Sequence, residues 1–213
     1  MAEYKAIKGF NIQTFSSDPN TIKGQLFYNS TLASIKGVIG SGAWASGGDI
    51  NTAKATIGVG ATQNAAIIIA GNKSPSYTLV KETEEYNGST WTEVGDLREE
   101  VTYNASAGAS TSAVSFGGQQ PSQTGQTEEW NGTSWTTSPG SMTLSRIYRF
   151  GFGTLTAAVA AGGSPPQTPA TEEYDGSTWS TSPGTLGTGR YNGGSTGTLT
   201  AGLVFGGIDP SSP

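Results

Sequence analysis

The chain has 213 residues, a net charge of −5 and neither Cys nor His. This excludes a Cys/His zinc site, a disulfide framework, and any mechanism built on a histidine base or a cysteine nucleophile. Gly, Ser and Thr make up 86 residues, but five Trp, eight Tyr and seven Phe are more aromatics than a disordered chain carries. So many small residues of poor helix propensity point to closely stacked extended backbone. The acidic balance gives nucleic acid no electrostatic hold. No run approaches the ~20 apolar residues of a membrane span, and Met1 to Lys5 lacks the apolar core of a signal peptide.

In chain order, residues 1–35 form an extended segment of their own, with a strand expected at Leu26 to Tyr28. Ile35 to Ile39 reads as another strand, and Gly42-Ala43-Trp44 as the start of a further one. From residue 51 the chain repeats. Each unit opens on a Gly- and Ala-rich strand around a basic residue, Lys54, Arg146 or Arg190, whose nearest counterpart in the second unit is Arg98. An apolar run ending in glycine follows, at Ala65 to Gly71, Ala113 to Gly118, Thr156 to Gly163 and Thr200 to Gly207. These runs are too short for helices and read as buried strands. Next come Thr83-Glu84-Glu85-Tyr86, Thr127-Glu128-Glu129-Trp130 and Thr171-Glu172-Glu173-Tyr174. Asn87-Gly88, Asn131-Gly132 and Asp175-Gly176 then predict type I′ hairpin turns. A fourth strand starts at Trp91, Trp135 and Trp179, which are 44 residues apart; Trp44, 47 before Trp91, is a degenerate member of the series.

Four strands in about 44 residues is the pattern of an all-β propeller built from four-stranded antiparallel blades. Complete units span 51–97, 98–142 and 143–186, and 187–213 holds the first two strands of a fourth, split or truncated unit. Residues 26–50 could supply its missing strands by pairing with 190–207, which would close a four-bladed ring. Alternatively the chain is the front of a longer array, or several chains complete one another's blades.

The paired glutamates resemble acid/base pairs, but neighbours in a strand point to opposite faces and cannot cooperate across one substrate. Glu85, Glu129 and Glu173 therefore read as structural repeat positions, and the basic residues as their partners between blades. Trp91, Trp135, Trp179 and Trp44 read as inter-blade packing. Gly117, Gly162 and Gly206 allow close backbone approach. The sequons at Asn29, Asn87, Asn104 and Asn131 include two turn asparagines, for which turn chemistry is sufficient reason. The loops after the apolar strands diverge most, and such loops on a repeated scaffold are where recognition sits. Their candidate binding residues are Asn72, Lys73, Ser74, Tyr77, Gln119, Gln120, Gln123, Ser164 and Gln167. No catalytic residue, cofactor or metal ligand emerges.

The apolar strand ending in Gly-Gly, the following Tyr-Asp/Asn and the Trp a few residues on resemble the kelch repeat over about 44–213. The short Tyr-to-Trp gap makes this a kelch-like variant. Lys8 to Pro19 and Gly24 to Thr31, followed by repeats of this type, resemble fibre-type structural proteins of tailed, marine-type bacteriophages. That resemblance implies a non-enzymatic virion component assembled in the host cytoplasm. Residues 1–35 would attach to other virion proteins, and the repeats would face a host-surface glycan or protein, in a homo-oligomeric arrangement. Alternatives are a cellular kelch-type scaffold that binds protein or glycan, and a propeller enzyme. The copper oxidases of the kelch type rely on His and Cys, which this chain lacks.

Overall fold

The computed structural model describes residues 13–15, 26–31, 33–37, 47–73 and 75–209. Contacts divide the chain into two compact units at 46/47, later than the boundary at 35 expected from the repeat. In the first unit, β1 (Gln13–Phe15) pairs in parallel with β2 (Leu26–Asn29), and β2 pairs antiparallel with β3 (Ser34–Gly37).

The second unit is all β, with no helix among the described residues. Three antiparallel four-stranded sheets follow the chain. They are β4 (Lys54–Thr62) to β7 (Trp91–Glu93), β8 (Ala105–Ala109) to β11 (Trp135–Thr137), and β12 (Phe150–Thr154) to β15 (Trp179–Thr181). The inner members are β5 (Ala65–Lys73) and β6 (Thr78–Tyr86), β9 (Ser112–Phe116) and β10 (Thr127–Trp130), and β13 (Ala157–Ala161) and β14 (Thr171–Tyr174). Each sheet keeps the order of the chain, a meander made by hairpins alone. A fourth sheet has two strands, β16 (Gly194–Thr198) and β17 (Ala201–Phe205). The first strands of successive sheets, β4, β8, β12 and β16, neighbour one another in that order.

Ring closure by 26–50 against 190–207 is not shown; β2 pairs with β1 and β3 in the first unit, and β16 and β17 pair with each other in the second. Trp44, expected to open a fourth strand, lies outside the described residues.

The core lies in the seams between sheets. Ile67, Ile69, Leu97, Val101, Ala113, Trp130 and Trp135 fill the first. Ala105, Ala107, Val114, Phe116, Met142, Ala158, Ala160, Tyr174 and Trp179 fill the second. Alanine on the sheet faces brings the sheets close, and one large aromatic per strand end then fills the remaining gap.

The hairpin turns differ from expectation. Only the glycines, Gly88, Gly132 and Gly176, have positive φ, whereas a type I′ turn needs it at both central residues. Instead the side chains of Asn87, Asn131 and Asp175 cap a four-residue loop. Asn87 Oδ1 accepts the amides of Ser89 and Thr90, Asn131 Oδ1 those of Thr133 and Ser134, and Asp175 Oδ1 those of Ser177 and Thr178. These bonds to the charged form hold the Asp175 carboxyl below its usual range.

Candidate functional site

The first glutamate of each repeated pair is buried at the start of its own unit. Glu84 accepts the backbone N–H of Asn51 at 2.6 Å and of Thr52 at 3.2 Å. Glu128 accepts that of Arg98 at 2.9 Å, and Glu172 that of Thr143 at 2.8 Å. Cations complete two of these sites: Lys54 Nζ lies 3.5 Å from Glu84, and Arg146 Nη2 3.3 Å from Glu172. Arg146 also donates through Nη1 to Gly162 O at 2.6 Å. These pairs form within one unit, not between blades as the sequence led us to expect.

Among the described residues no cation pairs with Glu128 in the second unit, and Arg98 is not the counterpart. Backbone bridges Thr102–Gln119, Ile147–Ser164 and Tyr191–Ile208 align the units, and the residue before each is Val101, Arg146 or Arg190. Arg98 contributes its amide, and its side chain is exposed. Among the described residues Glu128 is therefore buried without a buried cation in an ion pair with it. Burial pushes its carboxyl above the usual range, against the pull of the Arg98 and Glu99 amides.

The aromatic residues lock neighbouring sheets. Trp135 Nε1 donates to Thr83 Oγ1 of the preceding sheet at 3.0 Å, and Trp179 Nε1 to Thr127 Oγ1 at 2.8 Å. The Tyr174 hydroxyl meets Ser138 Oγ at 2.5 Å and donates to Glu129, so the second glutamate of the pair serves the next sheet. Burial, reinforced by Glu129, pushes the Tyr174 phenol up to about 12. Trp91 is half-buried, and its ring lies 5.0 Å from that of Tyr86.

Both glycines of each Gly-Gly pair have positive φ, from +63° at Gly117 and Gly162 to +102° at Gly163. A Cβ on the second would press on the bridging carbonyl: Thr102 O at 2.6 Å from Gly118, Ile147 O at 3.0 Å from Gly163, Tyr191 O at 2.7 Å from Gly207. Gly206 has no neighbour within 4 Å of an added Cβ and is needed for its φ of +66°.

These glycines bring the diverged loops and the between-sheet connections to one edge. Gly118 N–H donates to Arg146 O at 3.2 Å and Gly163 N–H to Arg190 O at 3.0 Å, tying each loop to the next unit. Many of the candidate side chains are engaged there. Asn72 is buried, Lys73 pairs with Glu82 at 3.2 Å, and Gln120 Nε2 donates to Gln126 at 3.1 Å. Gln119 bridges through its backbone to Thr102 and Gln123, and Ser164 to Ile147. Gln167 Nε2 donates to Gly189 O at 2.8 Å and to Ile208 O. Tyr77 is 76% exposed, and Ser74 lies outside the described residues.

The same edge carries a feature that sequence reasoning missed. Tyr103, Tyr148 and Tyr191 form a row, with ring centroids 4.4 and 6.0 Å apart. Tyr103, Tyr148 and Asn192 each follow a bridge residue and have φ of 56°, 56° and 60°. At Tyr103 and Tyr148 this is a costly backbone choice, whereas Asn192 adopts it readily. Beside them is a cavity of about 510 Å³ lined by Thr102, Tyr103, Tyr148, Arg149, Phe150 and Asn192, among others. Arg149 is buried and donates to Met142 and to Arg146 O. Burial and the Arg146 charge lower its guanidinium to about 9, against the pull of Glu172. The signal for this site was the repeat of Tyr103 and Tyr148 at one register position, beside a backbone that only the structure reveals.

Among the described residues no group of three or more Asp or Glu side chains could hold a metal ion. Compared with known proteins, the chain matches no family model and no curated protein.

Proposed function

We propose that the chain is a non-enzymatic, kelch-like β-propeller that forms a structural and recognition component of a tailed phage particle. The loop edge and the tyrosine-lined cavity beside it face a host-surface glycan or protein. Residues 1–35 attach the chain to other virion proteins, in a homo-oligomeric setting. The observation that carries the binding role is the joining at one edge of diverged loops and an aromatic row, on a scaffold that spends its buried carboxylates on its own amides and cations. Half-buried aromatic faces at the rim of a cavity suit sugar rings and protein side chains alike. The virion role rests on the resemblance of the sequence.

The test is adsorption to host cells. Replacing Gln119 to Gly125 with a Gly/Ser linker, and separately Tyr148 with Ala, should reduce adsorption while the protein stays folded. Unchanged adsorption by both folded variants would refute the binding role of this edge. Deleting residues 1–35 should leave the protein out of assembled particles, and normal incorporation would refute the attachment role.

A further inference from the structure

The third sheet presents the same seam as the second. Thr171, Glu173 and Ser182 stand where Thr127, Glu129 and Ser138 stand one unit earlier. Ser182 N–H donates to Thr171 O at 2.9 Å, as Ser138 N–H does to Thr127 O. In the second sheet these groups hold Trp179 and Tyr174. In the third they line a cavity of about 510 Å³ with Leu186, Leu203 and Val204. Such a volume accepts large aromatic side chains.

The fourth sheet is prepared in the same way. Among the described residues β17 pairs with β16 alone. Leu203 and Phe205 are 59% and 52% exposed, whereas Val159 and Ala161, at the same register in β13, are 4% and 2% exposed. Arg190 Nη1 donates to Gly206 O at 3.0 Å, as Arg146 Nη1 does to Gly162 O. The Nη2 of Arg146 goes on to meet Glu172, whereas that of Arg190 lies 3.9 Å from Asp209.

We propose that β17 and this cavity are a docking site for a β-hairpin of the repeat's own kind, Thr-Glu-Glu-Tyr-turn-Trp. Its first strand adds to the edge of β17, where main-chain hydrogen bonds supply affinity and the side-chain pockets supply specificity. Its first glutamate meets Arg190, its tyrosine hydroxyl meets Glu173 and Ser182, and its indole N–H donates to Thr171. The site is an extension of the interface that already joins the second and third sheets, and it is separate from the loop edge.

The probe is a labelled synthetic peptide of residues 171–183, titrated into the full chain and followed by fluorescence anisotropy. Saturable one-to-one binding is expected, weakened about tenfold or more by Trp179→Ala in the peptide. Glu172→Gln in the peptide and Arg190→Met in the protein should each weaken binding, and together should weaken it by less than the product of their separate effects. The peptide substitutions keep the test valid should the Arg190 variant fold poorly. Absence of saturable binding, or equal binding by the Trp179→Ala peptide, overturns the proposal. So does peptide binding that leaves Arg190→Met and Glu172→Gln without effect, since the peptide would then sit elsewhere.

Discussion

Replacing Arg146 with Met should expose the energetics of the repeated carboxylate site. The Arg146 side chain is 2% exposed and that of Glu172 is fully buried, with Nη2 and Oε2 3.3 Å apart. Methionine keeps most of the apolar stem but removes the charge and the bond to Gly162 O. Glu172 would then keep the Thr143 amide, at 2.8 Å, as its remaining donor. Removing one partner of a buried pair costs about 3–5 kcal/mol, and the Arg149 charge that also acts on Glu172 puts the loss toward the lower end. For a domain of this size that is a drop in Tm of about 10 °C. The double variant Arg146→Met/Glu172→Gln should recover most of the loss, because the orphaned charge is gone. Urea unfolding at neutral pH, followed by tryptophan fluorescence, measures both. A single variant within about 1 kcal/mol of wild type, or a double variant no better than the single, would show that the Arg146–Glu172 pair does not stabilise the fold in this way.

The seam makes its own prediction: Trp179→Ala should destabilise by about 3–5 kcal/mol. Thr127→Val, which leaves the buried indole N–H without its acceptor, should cost about 1–3 kcal/mol in the same unfolding assay. Glu128 predicts a pH dependence. Its folded carboxyl titrates above its unfolded value, so its contribution to stability is full below the usual glutamate range and is lost as pH rises through the raised value. Asp175 runs the other way, its contribution being lost as pH falls through a depressed value. The difference in unfolding free energy between wild type and Glu128→Gln, measured from acid to neutral pH, isolates the Glu128 contribution. A difference that does not change with pH contradicts the assignment. Tyr174 predicts one phenol that ionises near pH 12 in an alkaline absorbance titration and shifts toward the ordinary range in Glu129→Gln.

The strands were legible because the repeat writes the same signals several times. Trp91, Trp135 and Trp179 start the fourth strands, and Thr-Glu-Glu-Tyr/Trp ends the third strands. The partnerships were less legible because they depend on three-dimensional register. Arg98 was the nearest basic residue in sequence, but the backbone bridges put Val101 at the cation position. The Asn87, Asn131 and Asp175 turns carry the dipeptide of a type I′ hairpin, yet side-chain capping of two amides favours a longer loop. Glu128 and Glu129, adjacent in β10, meet different partners. Which face met which neighbour needed Tyr174, 45 residues from Glu129, to be seen beside it. The tyrosine row escaped notice because Tyr103, Tyr148 and Tyr191 lie in connections, where no strand periodicity draws attention to them.

Electron microscopy of intact particles tests most directly the proposal that the chain is a phage-particle component with an outward-facing loop edge. The chain would be marked by an antibody against the loop edge. Label is expected at a fixed, repeated position on the particle exterior, lost when residues 1–35 are deleted. Particles without label, from cells that make the protein in quantity, would contradict it.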